Sequence, residues 1–254
     1  MKIEVIKAPT AEKPFLVINK PKGLASAPLT QDDFDNALSQ ALELFPELRS
    51  VHGKKEIEYG LLHRLDTATD GLMVIAASQE CYDFLIEEQR EGRFIKYYQA
   101  ECDINPDNGQ QLGGFPPQPA DLSLQGLAPN KSFTLSSYFR PFGQGRKEVR
   151  PVTAQSGKAA LSKLGKEKLY TTQVTIKELN KKADTVIVEC RITEGYRHQV
   201  RCHLAWAGLP VSGDLLYNSG IKKAENELKF SATKISFEYP RGDLNSYDRK
   251  DTWT

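Results

Sequence analysis

The stretch LLHRLDTATDGLMVIA, Leu61 to Ala76, places three ionisable side chains, His63, Arg64 and Asp66, between two apolar runs. A surface loop would be more polar, and a plain core strand would not carry them. They are either a paired structural cluster or a group held for chemistry. Asp66 is the most demanding of the three. It stands between Leu65 and the apolar GLMVIA, so its backbone is expected near the core, where a lone carboxylate is costly without a cationic or hydrogen-bonding partner. Arg64 is read as pointing away from Asp66, so the partner is expected from elsewhere in the chain.

The best source of that partner is EGYRHQVRCHLAWAGLPVSGDLLY, Glu194 to Tyr217. A helix is expected from about His198 to Ala207, with Val200, Leu204 and Ala207 on its apolar face. Arg197 and Arg201, four apart, fall on another face. Two arginines on one side of a packed helix can clamp a carboxylate or a phosphate, or simply be solvated. The strand-like KYYQA, Lys96 to Ala100, offers Tyr97 and Tyr98 on opposite faces. A pocket tyrosine can stack on a base and donate a hydrogen bond; a strand tyrosine can equally be core.

The elements that must position these groups follow from periodicity and turn residues. FLVINK (Phe15 to Lys20) reads as a strand and the following PKG as a tight turn. Phe34 to Leu48 has helical spacing, with Asp32 or Asp33 as its cap. GLMVIAAS is a short buried strand, after which Ser78 caps a helix to about Arg90 with Tyr82, Leu85 and Ile86 on one face. RFIKYYQAECDI, LYTTQVTIKEL, DTVIVECRITE and LKFSATKISFEYP read as further strands. Residues 104–131, rich in Gly, Pro, Asn and Gln, form a long loop or insertion. The polar tail, 241–254, is expected to be loosely held. Strands in runs without a βαβ alternation predict an α+β fold on a mainly antiparallel mixed sheet flanked by helices and loops. No clean linker is visible, and one domain over 1–254 is expected, with 104–131 the alternative divide.

Composition excludes several classes. The 254 residues are 39% hydrophobic and 26% charged, ordinary for a globular protein. No run approaches 18 apolar residues, so no membrane span is expected, and MKIEVIKAPTAEKPF lacks a secretory h-region, which makes the cytoplasm the expected location. Cys81, Cys102, Cys190 and Cys202 include no CxxC pair, so buried free thiols are expected rather than disulfides or zinc. Net charge is only +1, yet residues 140–168 carry eight basic side chains against Glu148 and Glu167. That run is a solvated surface or a face for a polyanion.

The chain resembles the RluA-type RNA pseudouridine synthases. The likeness rests on NKPKGL (Asn19 to Leu24), HRLDTATDGLMVIA (His63 to Ala76), KYYQA and the Glu194–Tyr217 block, in family order over about residues 15–217. It implies the pseudouridine-synthase fold and isomerisation of uridine in RNA. Asp66 matches the catalytic aspartate of H-R-L-D. Tyr98 matches the tyrosine of K-x-Y-x-A that packs on the target base. Arg201 matches the arginine of H-Q-[IV]-R that pairs with the aspartate, and Arg64 an arginine that helps flip the nucleotide. His63, Arg197, His198 and Gln199, together with Arg146, Lys147 and Arg150 of the basic run, are expected RNA contacts. Two positions depart from the pattern: Asp70 replaces the usual Ser of T-S-G, and Tyr196 the usual arginine of T-G-R-x-H-Q. Both bear on RNA contacts more than on the core reaction.

The implied reaction has no net redox change, so no cofactor and no metal are expected. The expected partner is RNA, ribosomal ahead of transfer RNA, with a monomeric protein and no membrane. No S4-like module precedes NKPKGL, so targeting is expected of the catalytic domain itself. Three other readings compete. A glycoside hydrolase would pair Asp66 with Asp70 but leaves the arginines and tyrosines without a role. A metal hydrolase would use His63, His198 and His203, but the i,i+5 spacing of the last two disfavours joint ligation. A non-catalytic RNA-binding or ribosome-assembly protein could keep the fold without the reaction.

Overall fold

The apolar runs fold as the strands their spacing demands, in a computed structural model that describes residues 1–119, 126–180, 182–220 and 227–249. The chain forms two compact units, residues 1–97 with 231–254, and residues 98–230. The boundaries fall inside two strands, β4 (Ile95–Asp103) and β9 (Phe230–Glu238), and not in the 104–131 segment.

In the first unit β1 (Glu4–Lys7), β2 (Phe15–Lys20), β3 (Asp70–Ala76) and β9 are neighbours in that order, and β10 (Leu244–Asp248) pairs with β9. All pairings are antiparallel except the short parallel one of β3 with β9, Asp70 opposite Ser231 and Gly71 opposite Ala232. β3 is buried along its whole length, which is why it reads as a continuous apolar run and not an alternating one. Gly71 is obligatory at φ +122°, because a Cβ there would lie 2.1 Å from the Ala232 carbonyl oxygen. Helix α1 (Ala37–Leu44) buries Leu38 and Leu42, and α2 (Gln79–Arg90) buries Tyr82 and Leu85. Phe15, Val74, Leu85, Phe94 and Phe237 belong to one core, in which Phe94 stacks on Phe237 at 5.0 Å. Ser78 caps α2 as expected, its oxygen accepting from the Cys81 N–H. The cap of α1 is Asn36, not Asp32 or Asp33, because only Asn36 is placed to accept from the Ser39 N–H.

In the second unit the order is β4, β8 (Thr185–Ile192), β7 (Lys166–Asn180), β5 (Ser132–Phe142), β6 (Glu148–Val152). Pairings β7–β8, β5–β7 and β5–β6 are antiparallel. Strands β4 and β8 alternate buried and half-buried residues, the pattern of sheets covered on one face. Helix α5 (Gln199–Trp206) is buried at all eight positions and packs on β6, β7 and the short helix α3 (Asn108–Leu112).

The α+β expectation therefore stands, with four strands added. β1, β5, β6 and β10 escape a periodicity reading. β5 mixes small polar with apolar residues, and β6, EVRPV, holds an arginine and a proline that suggest surface. Proline is tolerated because β6 ends the sheet order. The 104–131 segment contains α3, and Asn108 fixes it by donating to the carbonyls of Ala205 and Tyr217. The tail is not loose as far as Arg249: buried Asn245 donates to Tyr239 and Asp243 and accepts from Lys13. Residues 120–125 of the insertion and 250–254 of the tail lie outside the described residues. All four cysteines are free and buried, and burial pushes the Cys81 thiol up to about 12.

Candidate active site and RNA contacts

Asp66 is half-buried in the loop between Leu61 and β3. Both of its neighbours are held by the turn after β2. The Ser26 hydroxyl accepts from the Leu65 N–H (2.9 Å) and donates to the Leu65 carbonyl (2.7 Å). The Thr67 carbonyl accepts from the Gly23 N–H at 2.8 Å and from the Lys20 ammonium at 3.4 Å. The Thr69 N–H closes a turn on the Asp66 carbonyl at 3.0 Å. The NKPKGL block and the residues just after it thus form one construction with the HRLD block: Lys20 and Gly23 hold the Thr67 side of the aspartate and Ser26 the Leu65 side. Lys20 is the centre of the clasp. Fully buried, its ammonium also donates to the carbonyls of Leu24 (2.7 Å) and Pro21 (2.9 Å). Burial pushes it down to about 8, against the opposing pull of the Asp70 and Asp66 carboxylates. Sequence reasoning quoted Lys20 inside its block without singling it out. The signal was a lysine closing an apolar strand just before a Pro-Lys-Gly turn.

Asp70, the departure from the family pattern, is buried, with one oxygen taking the Ser231 hydroxyl at 2.7 Å and the other paired with Arg249. It is a structural acid with two partners, not half of a catalytic carboxylate pair. Arg64 is exposed and pairs with Glu58 at 3.1 Å, which also holds Lys55. Strand alternation does not set Arg64 against Asp66, since it would put residues two apart on one face. Residues 62–69 are not a strand.

His63, expected as an RNA contact, is half-buried and acts as a hydrogen-bond acceptor. Its Nε2 accepts from the Val74 N–H (3.3 Å), its ring meets Phe94 edge-on, and burial, with Lys96 nearby, pushes it down to about 3. A neutral ring of this kind offers a phosphate no charge.

In the second unit Tyr98 lies on the buried face of β4, its ring stacked on Phe230 at 5.2 Å and 9°. Arg201 is buried on α5. Its Nε and Nη2 donate to the two oxygens of Asp214, both at 2.7 Å, and its guanidinium lies over Tyr217 at 5.4 Å. Asp214 Oδ1 also accepts from the N–H groups of Leu216 (3.0 Å) and Tyr217 (3.2 Å). This fork-to-fork pair fixes the plane of the guanidinium. Asp214 was missed as an individual residue, although the GDLLY that carries it was quoted.

The expected arginine face of α5 does not exist. The helix starts at Gln199, after His198 in the left-handed region (φ 56°), so Arg197 precedes it. Arg197 is exposed and donates to the Arg146 (2.5 Å) and Glu148 (3.1 Å) carbonyls. His198 shares a hydrogen bond with the Tyr217 hydroxyl at 3.0 Å. Two further expected RNA contacts are interior. Gln199 is buried, donating to the Thr171 carbonyl and accepting from the Tyr196 N–H. Arg150, 1% exposed, sits over Phe142 (4.1 Å) and Phe115 (4.5 Å), donates to the Gly113 and Val149 carbonyls and pairs with Glu148 at 2.8 Å. Arg146 and Lys147 are exposed, as an RNA contact requires. His203 is also structural, held between Ser137 and Thr172 and pushed by burial down to about 3. Among the described residues no three His, Cys, Asp or Glu side chains gather as metal ligands, and no helix is long and apolar enough to cross a membrane.

Comparison with known proteins supports this reading. Residues 14–206 match the RNA pseudouridylate synthase family. An uncharacterized RNA pseudouridine synthase of Bacillus subtilis, YlyB, is 22% identical over 91% of this chain and 63% of its own length. The tRNA pseudouridine(31) synthase of Saccharomyces cerevisiae is 26% identical over 86% of this chain and 48% of its own. The dual-specificity RNA pseudouridine synthase RluA of Vibrio vulnificus is 27% identical over 89% and 75%. The chain thus spans about half to two thirds of the first two. The structure of human RNA pseudouridylate synthase domain containing 1 shares the fold at TM-score 0.65 and 19% identity, covering 98% of this chain and 84% of that one. With the clasped aspartate loop and a family match over most of its length, the chain belongs to the RNA pseudouridylate synthases, of the RluA type.

Proposed function

We propose that the protein isomerises specific uridines of structured RNA to pseudouridine, with Asp66, Tyr98 and Arg201 in the roles the family resemblance assigns them. The observation that carries this is the double clasp on the Asp66 loop: bonds to the backbone of Leu65 and Thr67 fix the main chain on both sides of the aspartate, as positioning a reacting anion requires. In the reaction the C1′–N1 bond breaks, the uracil turns, C1′ bonds to C5, and the C5 hydrogen leaves as a proton while N1 gains one. Nothing is oxidised and no cofactor is consumed. A carboxylate can act as nucleophile at C1′ or as base at C2′.

The uridine must first leave its stack, at a cost of roughly a few kcal/mol. An aromatic ring such as that of Tyr98 can return about 1–3 kcal/mol by stacking on the base. Arg64, exposed beside the Asp66 loop, is our candidate for guiding the flipped nucleotide, with Arg146, Lys147, Arg197 and His198 as further contacts. Ribosomal RNA is the proposed substrate ahead of transfer RNA, supported by relatives named ribosomal large subunit pseudouridine synthase D. We place the protein in the cytoplasm as a monomer.

Tritium release from RNA labelled at uridine C5 tests the reading, with total RNA from cells lacking the protein as substrate. Release by the wild type and none by Asp66→Asn is the expected result. Absence of release from both mature RNA and ribosome-assembly intermediates would overturn it in favour of a non-catalytic RNA-binding protein.

A further inference from the structure

The second unit holds a groove of about 420 Å³ outside all four sequence blocks. Phe115 and Pro117 line it from the insertion, Gln155, Ser156 and Lys163 from the segment around the short helix α4 (Lys158–Leu161), and Arg140 from β5. Its lining contains two cations and no carboxylate. Arg140 is the informative residue. Its Nη2 donates to the Gly114 carbonyl (3.1 Å) and its guanidinium lies over Phe142 (4.9 Å), but its Nε is buried and has no acceptor among the described residues. A buried donor without an acceptor is costly, and such a donor calls for a missing partner. Arg140 and Lys163 make no ion pair among the described residues, whereas neighbouring Arg150 is neutralised by Glu148. Burial first, and the Arg150 charge second, lower the affinity of Arg140 for its proton. Apolar walls with two uncompensated cations, a carboxamide and a hydroxyl favour an oxyanion over a cation or a neutral solute.

We propose that this groove is a phosphodiester-binding subsite for the substrate RNA, with Arg140 and Lys163 on the phosphate and Gln155 and Ser156 at its edge. The proposal rests on the RNA reading above and adds a contact remote in sequence from the Asp66 loop. The groove is shallow and open, as suits a backbone contact that fixes the strand without reading its bases.

The test measures anisotropy of a short fluorescent oligouridylate against the full chain over a salt series. Lys163→Glu and Gln155→Glu, both at exposed positions, spare the fold, and Arg140→Gln removes the guanidinium. Lys163→Glu and Arg140→Gln are each expected to weaken binding about tenfold at low salt and to reduce the log–log salt slope by about 0.7 per lost phosphate contact. In the tritium assay KM should rise with kcat unchanged. Wild-type affinity and slope in both Lys163→Glu and Gln155→Glu would overturn the proposal and leave a solvated surface. Uridine monophosphate or inorganic phosphate competing as well as the oligonucleotide would overturn it in favour of a free-anion site. Failure of the wild type to bind any RNA would remove the RNA reading itself, whereas tritium release by wild type with unaffected groove variants would remove the subsite alone.

Discussion

At the scale of single residues, the informative contacts are a buried ion pair and a half-buried one. Arg201 meets Asp214 through two 2.7 Å bonds, with both side chains almost fully buried. Removing Asp214 takes two charge-assisted bonds from a buried guanidinium. Asp214→Ala should therefore cost about 3–5 kcal/mol, seen as a lower urea midpoint, and Asp214→Asn, which keeps the shape, should cost less. A wild-type midpoint in the alanine variant would contradict the pairing. Asp70 with Arg249 is the second pair. Arg249→Met leaves the Ser231 hydroxyl as the hydrogen-bond partner of the Asp70 carboxylate among the described residues. A loss of about 2 kcal/mol is expected, and adding Asp70→Ser, the residue usual in the family, should restore most of it. Equal losses in the single and double variants would show that the two residues do not act as a pair.

At the scale of elements, the turn after β2 and the loop before β3 are bound through Lys20. Its ammonium serves three carbonyls rather than a carboxylate, so its charge is solvated by the backbone. The folded value of about 8 lies below the ordinary 10.5. Below pH 8 both folded and unfolded states are protonated and the burial penalty is constant. Between about 8 and 10.5 the unfolded chain holds the extra proton, so the contribution of Lys20 to stability rises with pH across that window. The gain is of order 2–3 kcal/mol. Urea titrations of wild type and Lys20→Met at several pH values should show the difference between them shifting toward the wild type from pH 8 upward. A flat difference would place the Lys20 charge in solvent.

At the scale of the whole molecule, a net charge of +1 conceals a basic run whose members do different work. Arg146 and Lys147 are exposed and Arg150 is interior. Arg146→Ala with Lys147→Ala should leave the unfolding midpoint unchanged and reduce the salt slope of RNA binding by about 0.7 for each phosphate lost. Arg150→Ala should instead cost about 3–5 kcal/mol of stability. If Arg150→Ala unfolds with the wild-type midpoint, the interior assignment fails.

The sequence by itself determined the strands β2 and β3, the Ser78 cap and the placing of Tyr97 and Tyr98 on opposite faces of β4. Each of these depends on neighbours within a few residues: an apolar run, a capping oxygen, a period of two. Which arginines are buried was decided only by the tertiary structure. Arg150 is enclosed by Phe115, Phe142 and the Gly113 carbonyl, and Arg201 by Asp214 and Tyr217, partners between 8 and 37 positions away. The same holds for Gln199, whose amide looks available in sequence and donates to the Thr171 carbonyl, and for His63, whose Nε2 is taken by the Val74 N–H. A charged or polar side chain goes interior at least cost where distant groups satisfy its hydrogen bonds, and local pattern does not encode where those groups will be.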